Sequence, residues 1–183
     1  MEEMQREQEI QTGDMLQKQA APAERAFREL EAVVRKLRSE DGCPWDRVQT
    51  LDSLRPCMVN EMAEAIGAIS LLESTRDAEN LCEELGDVLL QVVMLSCIAQ
   101  EQGLFTLEDV IRGITAKMIR RHPHVFGSDI RVEQQEVPGR WEAIKKAEKK
   151  DRTDQQEAKE KAALKEALDY VRRQLDETEK KLK

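Results

Sequence analysis

Apolar residues recur every three or four positions through most of this chain, and that spacing predicts a series of amphipathic helices. Breakers and capping residues indicate where each helix begins and ends. The predicted helices run from Pro22 to before Gly42, from an N-cap at Ser53, from Asp77 to about Gln102, from a capping box at Thr106 to about Arg121, and from about Arg140 onward. Residues 42–46 and 127–139 are predicted loops.

The third of these helices should lie deepest in the fold. Between Val88 and Ala99 it is apolar on nearly all sides, a pattern typical of a buried helix. On the same helix, Glu84, Asp87, Gln91 and Ile98 share one sector of the helical wheel.

The chain divides by pattern into three parts. Residues 1–21 are polar and rich in Gln and Glu, which predicts an N-terminal extension. Residues 22–150 hold the main apolar stripes and should form one domain. Residues 151–183 predict a charged amphipathic helix, too short to be stable alone, that docks on its own domain or on a partner. Its apolar stripe consists of Leu164, Leu168, Val171, Leu175 and Leu182.

Composition favours an all-α fold, a bundle of four to five helices followed by the C-terminal charged helix. Of the 183 residues, 40% are hydrophobic, 36% are charged and only 3% are aromatic. Helix formers such as Ala, Leu, Glu and Lys dominate. A sheet protein would use more aromatic and β-branched residues.

Charge and cysteine usage narrow the expected partners and location. The formal net charge of −8 argues against stable nucleic-acid binding, which needs a basic surface. No apolar run reaches the ~20 residues of a membrane span, so no membrane contact is expected. The cysteines form no C-x-x-C pair, and we expect reduced thiols in the cytoplasm.

Two pairs of acidic residues are the strongest candidates for chemistry. Glu61 and Glu64 lie on one predicted helix, and Glu84 and Asp87 lie on the next. Each pair has i,i+3 spacing, so its two carboxylates project from one helix face. A charge beside a core must be paired, hydrogen-bonded or bound to metal. Two facing helices would offer an all-oxygen site for a hard divalent cation. The alternative is that both pairs lie on solvated faces.

A cluster of basic residues could supply the matching positive charge. Lys117, Arg120 and Arg121 lie at the end of a predicted helix. They could bind a polyphosphate, Arg by bidentate contact and Lys as a point charge. Alternatively, they complement the dipole of the helix C-terminus. His122 and His124 follow directly, and their spacing suits a turn or a helix cap better than a metal site.

A set of short motifs covers roughly residues 25–150. In chain order they are Gly42-Cys43-Pro44-Trp45-Asp46, Gln49-Thr50, Ser53-Leu54-Arg55-Pro56, the pair Glu61 and Glu64, Glu83-Glu84-Leu85-Gly86-Asp87, the run RRHPHVFG from Arg120 to Gly127, and Trp141-Glu142 with Ile144-Lys145. Their residues and their order resemble the MazG family of all-α nucleoside triphosphate pyrophosphohydrolases. GCPWD and RRHPHVFG are the most specific of them.

The resemblance implies a helical bundle that forms a homodimer and hydrolyses NTPs or dNTPs to nucleoside monophosphate and pyrophosphate. The implied cofactor is Mg²⁺, with Mn²⁺ as the alternative ion. Carried over by motif, the catalytic metal ligands are Glu61, Glu64, Glu84 and Asp87. The implied substrate-binding residues are Lys117, Arg120 and Arg121 at the phosphates, Trp141 and Lys145 near the nucleotide, and Trp45, with Asp46, closing the site.

One residue departs from the family's pattern. The first acidic motif of the family usually opens with two adjacent acids, and here Asn60 stands in the first position. Asn brings no charge and cannot act as a general base. The alternative hypothesis is therefore a catalytically weakened, nucleotide-binding or regulatory protein on the same scaffold. A third hypothesis is an interaction module whose C-terminal helix binds a partner.

Overall fold

The computed structural model describes residues 22–126, 137–148, 150 and 153–181. Within these residues there are helices and no strand, which confirms the predicted all-α fold. The helices are α1, described over residues 22–38, α2 Pro44–Arg47, α3 Arg55–Thr75, α4 Ala78–Glu101, α5 Leu107–Arg121, α6 Pro123–Phe126, α7 Val137–Glu148 and α8 Asp154–Lys181. None of them combines the length and apolarity that a membrane span requires. The predicted extension 1–21 and most of the predicted loop 127–139 lie outside the described residues.

Helices α3 and α4 form a hairpin around which the core is built. Arg76 ends α3 in the left-handed region with φ of 65°, and the Asp77 side chain caps α4 by accepting from two amides of its first turn. All seven buried residues of α4 lie between Gln91 and Ala99, within the segment predicted to be deepest. The buried cluster joins α1, the N-cap of α3, α4 and α5, and consists of Val34, Leu54, Val93, Met94, Cys97, Ile98 and Leu107.

Two predicted helix starts are wrong. Ser53 does not cap α3, because Leu54 holds the N-cap position and makes no side-chain capping bond. The Ser53 hydroxyl instead accepts from a backbone amide of the preceding turn at 2.8 Å. Helix α7 begins at Val137 rather than near Arg140, because Pro138 fits a first helical turn, where no amide donor is needed.

A buried arginine holds the turn between α1 and α3. The Arg38 side chain is only 5% exposed and donates to the Asp46 carbonyl at 2.6 Å and to the two Glu101 carboxylate oxygens at 2.8 and 2.6 Å. Gly42 lets the chain pass close to α1, since a Cβ at this position would overlap carbonyl groups of that helix. The turn presents Trp45 with 74% of its surface exposed.

Helix α8 lies on α3 of the same chain. The Arg55 guanidinium lies 4.1 Å from the centre of the Tyr170 ring, and the Thr178 hydroxyl donates to Asn60 Oδ1 at 3.0 Å. Of the predicted apolar stripe, Val171 lines this contact. The leucines of the stripe that the structure describes remain exposed, namely Leu164, Leu168 and Leu175. Helix α8 therefore docks through the side next to its leucine stripe.

Candidate functional site

The α3/α4 hairpin brings three of the four predicted acids together. One carboxylate oxygen from each of Glu61, Glu84 and Asp87 lies within 4.8 Å of the other two, and the three side chains are partly buried. Glu64 is exposed and lies outside this set. It follows Glu61 by three residues and is rotated by about 60° around α3, which is enough to turn it towards solvent. We call Glu61, Glu84 and Asp87 the acidic group.

The negative charge of the acidic group has no cationic partner in the part of the chain that the structure describes. A neutral amide, that of Asn80, donates to Glu84 at 3.3 Å. Burial raises the pKa of Glu61 above its ordinary value of 4.5, and repulsion from Glu64, Asp87 and Glu84 raises it further. Such a group favours either a proton or a bound cation.

A buried amide extends the same face of α4. Gln91 follows Asp87 by four residues, so it lies roughly 6 Å further along the helix axis. It is only 8% exposed, and its Oε1 is buried without a hydrogen-bond partner among the residues that the structure describes. An unpaired buried acceptor costs about 1–3 kcal/mol, so this oxygen is expected to accept from a water or to contact an ion. The sequence predicts the position of Gln91 beside the acids. The unpaired oxygen could be recognised only from the burial of this side chain in the structure.

The predicted basic residues form a second group at the end of α5, and we call Lys117, Arg120 and Arg121 the basic group. Glu148 of α7 accepts from Arg120 Nε at 2.7 Å and from Arg121 Nη2 at 2.7 Å. The hydrogen bonds from Arg121 and Arg120 lower the pKa of Glu148 to about 2. The bond to Glu148 likewise raises the pKa of Arg121. Lys117 is exposed one turn earlier.

Trp141 of α7 packs on residues at the end of α5. Its ring lies 5.1 Å from the ring of His122, edge to face, and 5.1 Å from the guanidinium of Arg121. The His122 Nδ1 donates to a carbonyl in the last turn of α5 at 2.6 Å, so this histidine acts as a helix cap. Lys145 pairs with Glu142 on α7 at 2.9 Å.

The acidic and basic groups do not meet within the described part of one chain. Helix α5 packs on α4, which carries Glu84 and Asp87, but no ion pair among the described residues joins the two groups, and the arginines pair with Glu148 instead. Trp45 stands exposed on its turn, and the structure describes no contact between it and the acids. The residues predicted for one site therefore form two groups with no direct ion pair between them in the described part of the chain.

Comparison with known proteins places these two groups in a single domain. Residues 49–126 match the MazG nucleotide pyrophosphohydrolase domain. The chain contains a MazG domain. The matched MazG residues include all four predicted acids and the basic group, whereas Trp45, Trp141 and Lys145 lie outside them.

Curated relatives carry a similar MazG region within longer chains. The "Nucleoside triphosphate pyrophosphohydrolase/pyrophosphatase MazG" of Thermotoga maritima is 49% identical over 127 residues, which are 67% of this chain and 45% of that protein. The "Nucleoside triphosphate pyrophosphohydrolase" of Escherichia coli (strain K12) is 41% identical over 118 residues, 64% of this chain and 43% of that protein. This chain thus spans less than half of the length of either relative.

A solved structure matches the fold of this MazG chain. The crystal structure of a mazG-related protein from Thermotoga maritima superposes with a TM-score of 0.52 at 28% sequence identity. The match covers 66% of this chain and 98% of the crystallised one. The shared fold therefore accounts for nearly all of the crystallised chain.

Asn60 has a structural partner in this MazG chain. It precedes Glu61 on α3, and its amide oxygen accepts the Thr178 hydrogen bond from α8. Helix α8 lies beyond the matched residues 49–126. The position at which the motif usually carries an acid therefore anchors the C-terminal helix here.

Proposed function

We propose that this chain hydrolyses nucleoside triphosphates, NTPs or dNTPs, to nucleoside monophosphate and pyrophosphate with a divalent cation. The observation that carries the proposal is the acidic group, which gathers three carboxylates from two helices of a MazG domain. A cation held there would polarise a phosphate oxygen and lower the pKa of an attacking water. The two relatives named above are both called nucleoside triphosphate pyrophosphohydrolases, which supports the same reaction class.

In this proposal the acidic and basic side chains have different roles. The acidic group holds the cation, and Glu64 adds a further carboxylate beside Glu61. The basic group receives the phosphates, because a triphosphate brings more negative charge than one cation neutralises. Trp141 and Lys145 lie near the nucleotide, and Trp45 closes the site.

We propose Mg²⁺ as the cation, with Mn²⁺ as the alternative. Carboxylate and amide oxygens suit hard cations better than soft ones. Two observations fit an ion at this face. The pKa of Glu61 is raised by burial and by its acidic neighbours, and the Oε1 of Gln91 is buried without a partner among the described residues.

A phosphate-release assay tests the reaction. The full chain is incubated with Mg²⁺ and each common NTP and dNTP, with and without inorganic pyrophosphatase, and phosphate is measured with malachite green. Release should require both Mg²⁺ and the pyrophosphatase, because the dye does not detect pyrophosphate. Release without the pyrophosphatase would indicate attack at a terminal phosphate instead. No release from folded protein would contradict the enzyme proposal.

A nucleotide-binding or regulatory protein without turnover is the second candidate, and Asn60 is the observation that favours it. If the residue at this position activates the attacking water, its replacement by Asn lowers turnover by roughly 10²–10⁴-fold while cation binding persists. If the position only supports the neighbouring structure, turnover survives. The hydrogen bond from Thr178 to Asn60 favours the supporting role, in which turnover survives.

Asn60→Glu separates these two candidates. We expect turnover to change by less than about threefold, because a residue that anchors α8 is not the source of the catalytic proton transfer. Thr178→Val is the matched control, since it removes the same 3.0 Å hydrogen bond without adding a charge. A gain of about 100-fold in Asn60→Glu, absent from Thr178→Val, would contradict the active-enzyme proposal.

We propose that two copies of the chain associate through α3 and α4. Helix α3 exposes Met62, Ile66 and Ile69 along one stripe, with 45%, 62% and 48% of their surfaces accessible. Helix α4 exposes Leu85 and Leu89, one turn apart. Apolar stripes of this extent are typical of interaction surfaces, and these belong to the helices that carry the acids.

Ile66→Glu should convert the dimer to a monomer, because a charge at the centre of an apolar contact must be desolvated without a partner. Sedimentation velocity of the full chain gives the mass directly. Val33→Glu is the control, since Val33 is similarly exposed, at 55%, but lies on α1. A monomeric wild-type chain, or an Ile66→Glu variant that stays dimeric, would contradict this interface.

We take residues 22–150 as the catalytic unit and residues 151–183 as a C-terminal helix that docks on it. We place the reaction in the cytoplasm, because the four cysteines are free thiols and reducing compartments preserve that state. The net charge of −8 supports a nucleotide substrate bound with its cation rather than stable nucleic-acid binding.

A further inference from the structure

One carboxylate engages both arginines of the basic group. Glu148 is the last residue of α7, and its side chain is 20% exposed. Its Oε1 accepts from Arg120 Nε at 2.7 Å. Its Oε2 accepts from Arg121 Nη2 at 2.7 Å and from Arg121 Nε at 3.2 Å. A single acid thus fixes two adjacent guanidinium groups from another helix.

The same geometry leaves several donors available. A guanidinium carries five N–H groups. Glu148 engages only Nε of Arg120, so both terminal amino groups of this residue lack an acceptor within the described residues. Nη1 of Arg121 also lacks one there. Arg120 is 54% exposed, so an anion from solvent can reach it. Glu148 therefore fixes both arginines but leaves some of their N–H groups without an acceptor among the described residues. These N–H groups can receive a second anion that has several oxygens.

Holding the arginines in advance makes anion binding more favourable. Two neighbouring guanidinium groups repel each other, and each long side chain loses rotamer freedom when an anion orders it. Glu148 offsets one of the two charges and orders both side chains before the anion arrives. The stacking of Trp141 on Arg121 restricts that side chain further. The pair keeps a net positive charge, which still attracts phosphate.

We propose that Glu148 is a positioning residue for the substrate, which holds Arg120 and Arg121 so that their remaining N–H groups receive the phosphates. The inference rests on the proposed function, in which the basic group binds the triphosphate. Two other roles of Glu148 lead to different results. As a competitor, it would have to leave the arginines before phosphate binds. As a strut, it would only join α7 to α5.

Glu148→Gln tests the three roles in the full chain. Binding of inorganic tripolyphosphate is measured by calorimetry without divalent ions, and KM and kcat are measured with Mg²⁺ and a nucleoside triphosphate. We expect tripolyphosphate binding to weaken and KM to rise by about tenfold, with kcat within about threefold of wild type. Mn²⁺ affinity, followed by electron paramagnetic resonance, should not change, since Glu148 is not in the acidic group.

Glu108→Gln is the matched control, because Glu108 also pairs with an arginine, Arg112 at 2.6 Å, but at the start of α5. It should leave both affinities unchanged. Tighter tripolyphosphate binding in Glu148→Gln would show that Glu148 competes with phosphate for the arginines, and it would overturn the inference. Unchanged binding with a lower melting temperature would show that Glu148 only joins α7 to α5, and it would overturn the inference as well.

Glu148→Asp decides the question if the Gln variant does not fold. Asp keeps the charge and the ion pair but is shorter by one methylene, so it displaces the two guanidinium groups. We expect about threefold weaker tripolyphosphate binding at a wild-type melting temperature, and binding equal to wild type would overturn the inference.

A wild-type chain that neither binds tripolyphosphate nor hydrolyses nucleoside triphosphates would instead contradict the proposed function. Wild-type binding that no Glu148 variant alters removes this inference alone.

Discussion

Asp87→Asn should lower divalent-cation-dependent turnover by about 10³-fold or more while leaving the helical circular-dichroism signal unchanged. Asp87 supplies one of three carboxylate oxygens that lie within 4.8 Å of one another, and it lies about one turn before Gln91 on α4. Asn retains an oxygen but not the charge that balances a divalent ion. Titration with Mn²⁺ should show a matching loss of affinity.

The same substitution should stabilise the ion-free chain. Repulsion from Asp87 is one cause of the raised pKa of Glu61, after burial and the charge of Glu64. A carboxyl whose pKa is raised in the folded state stabilises the fold below its ordinary value of 4.5, and that stability is lost as pH rises through the raised pKa. At neutral pH, Asp87→Asn removes part of this repulsion, and the melting temperature should rise by on the order of 2 °C.

Glu79→Gln is the control for both measurements. Glu79 is an exposed acid on the first turn of α4 and is not in the acidic group. Its substitution removes the same charge and should preserve cation dependence. An Asp87→Asn variant that keeps full cation-dependent turnover would contradict the metal assignment. One that unfolds would show that Asp87 has a structural role instead.

Arg121→Ala should lower kcat/KM by about 100-fold, through KM more than through kcat. The side chain is 16% exposed, donates to Glu148 through two N–H groups and lies over Trp141, so its loss removes the proposed phosphate contact and also loosens the end of α7. Charge-assisted hydrogen bonds of this kind contribute about 1.5–3 kcal/mol, which corresponds to roughly 10–150-fold in affinity. Steady-state kinetics across substrate concentrations separates the two parameters.

Two variants make the Arg121 result specific. Arg121→Lys keeps the charge but cannot form the paired hydrogen bonds, and we expect a loss of about tenfold. Arg112→Ala removes an exposed arginine from the same helix, one that pairs with Glu108, and it should have no effect. Wild-type kcat/KM in Arg121→Ala would contradict the role proposed for the basic group.

Local signals in the sequence predicted most of the fold. The cap at Asp77 and the box formed by Thr106 and Asp109 are confirmed, because each depends on side chains that bond amides within one helical turn. Ser53 has the same residue type as a cap but bonds the turn before α3. A cap therefore depends on the path by which the chain enters the helix, and residue type alone does not specify that path.

The acidic pairs show how far helical spacing can predict a site. Spacing i,i+3 places Glu61 with Glu64, and Glu84 with Asp87, on shared faces, but it does not give the rotation of one helix against the other. That rotation brings Glu61 to the α4 acids and leaves Glu64 exposed. The membership of Glu64 among the metal ligands therefore stays a prediction.

Long-range partners could not be predicted from local patterns. Glu148 lies 28 residues from Arg120 in the sequence, and 118 residues separate Thr178 from Asn60. Neither pair leaves a periodic signal. The leucine stripe of α8 suggested a different docking face from the one used, because the Arg55 contact with Tyr170 and the Thr178 hydrogen bond favour the adjacent face.

The central claim is that carboxylates from α3 and α4 share one divalent cation. The most direct test is an anomalous difference map from crystals of the full chain grown with Mn²⁺. We predict a peak within about 2–2.3 Å of carboxylate oxygens of Glu61, Glu84 and Asp87 after small side-chain rotations. A well-ordered α3/α4 hairpin without that peak, in crystals that contain the ion, would contradict the claim.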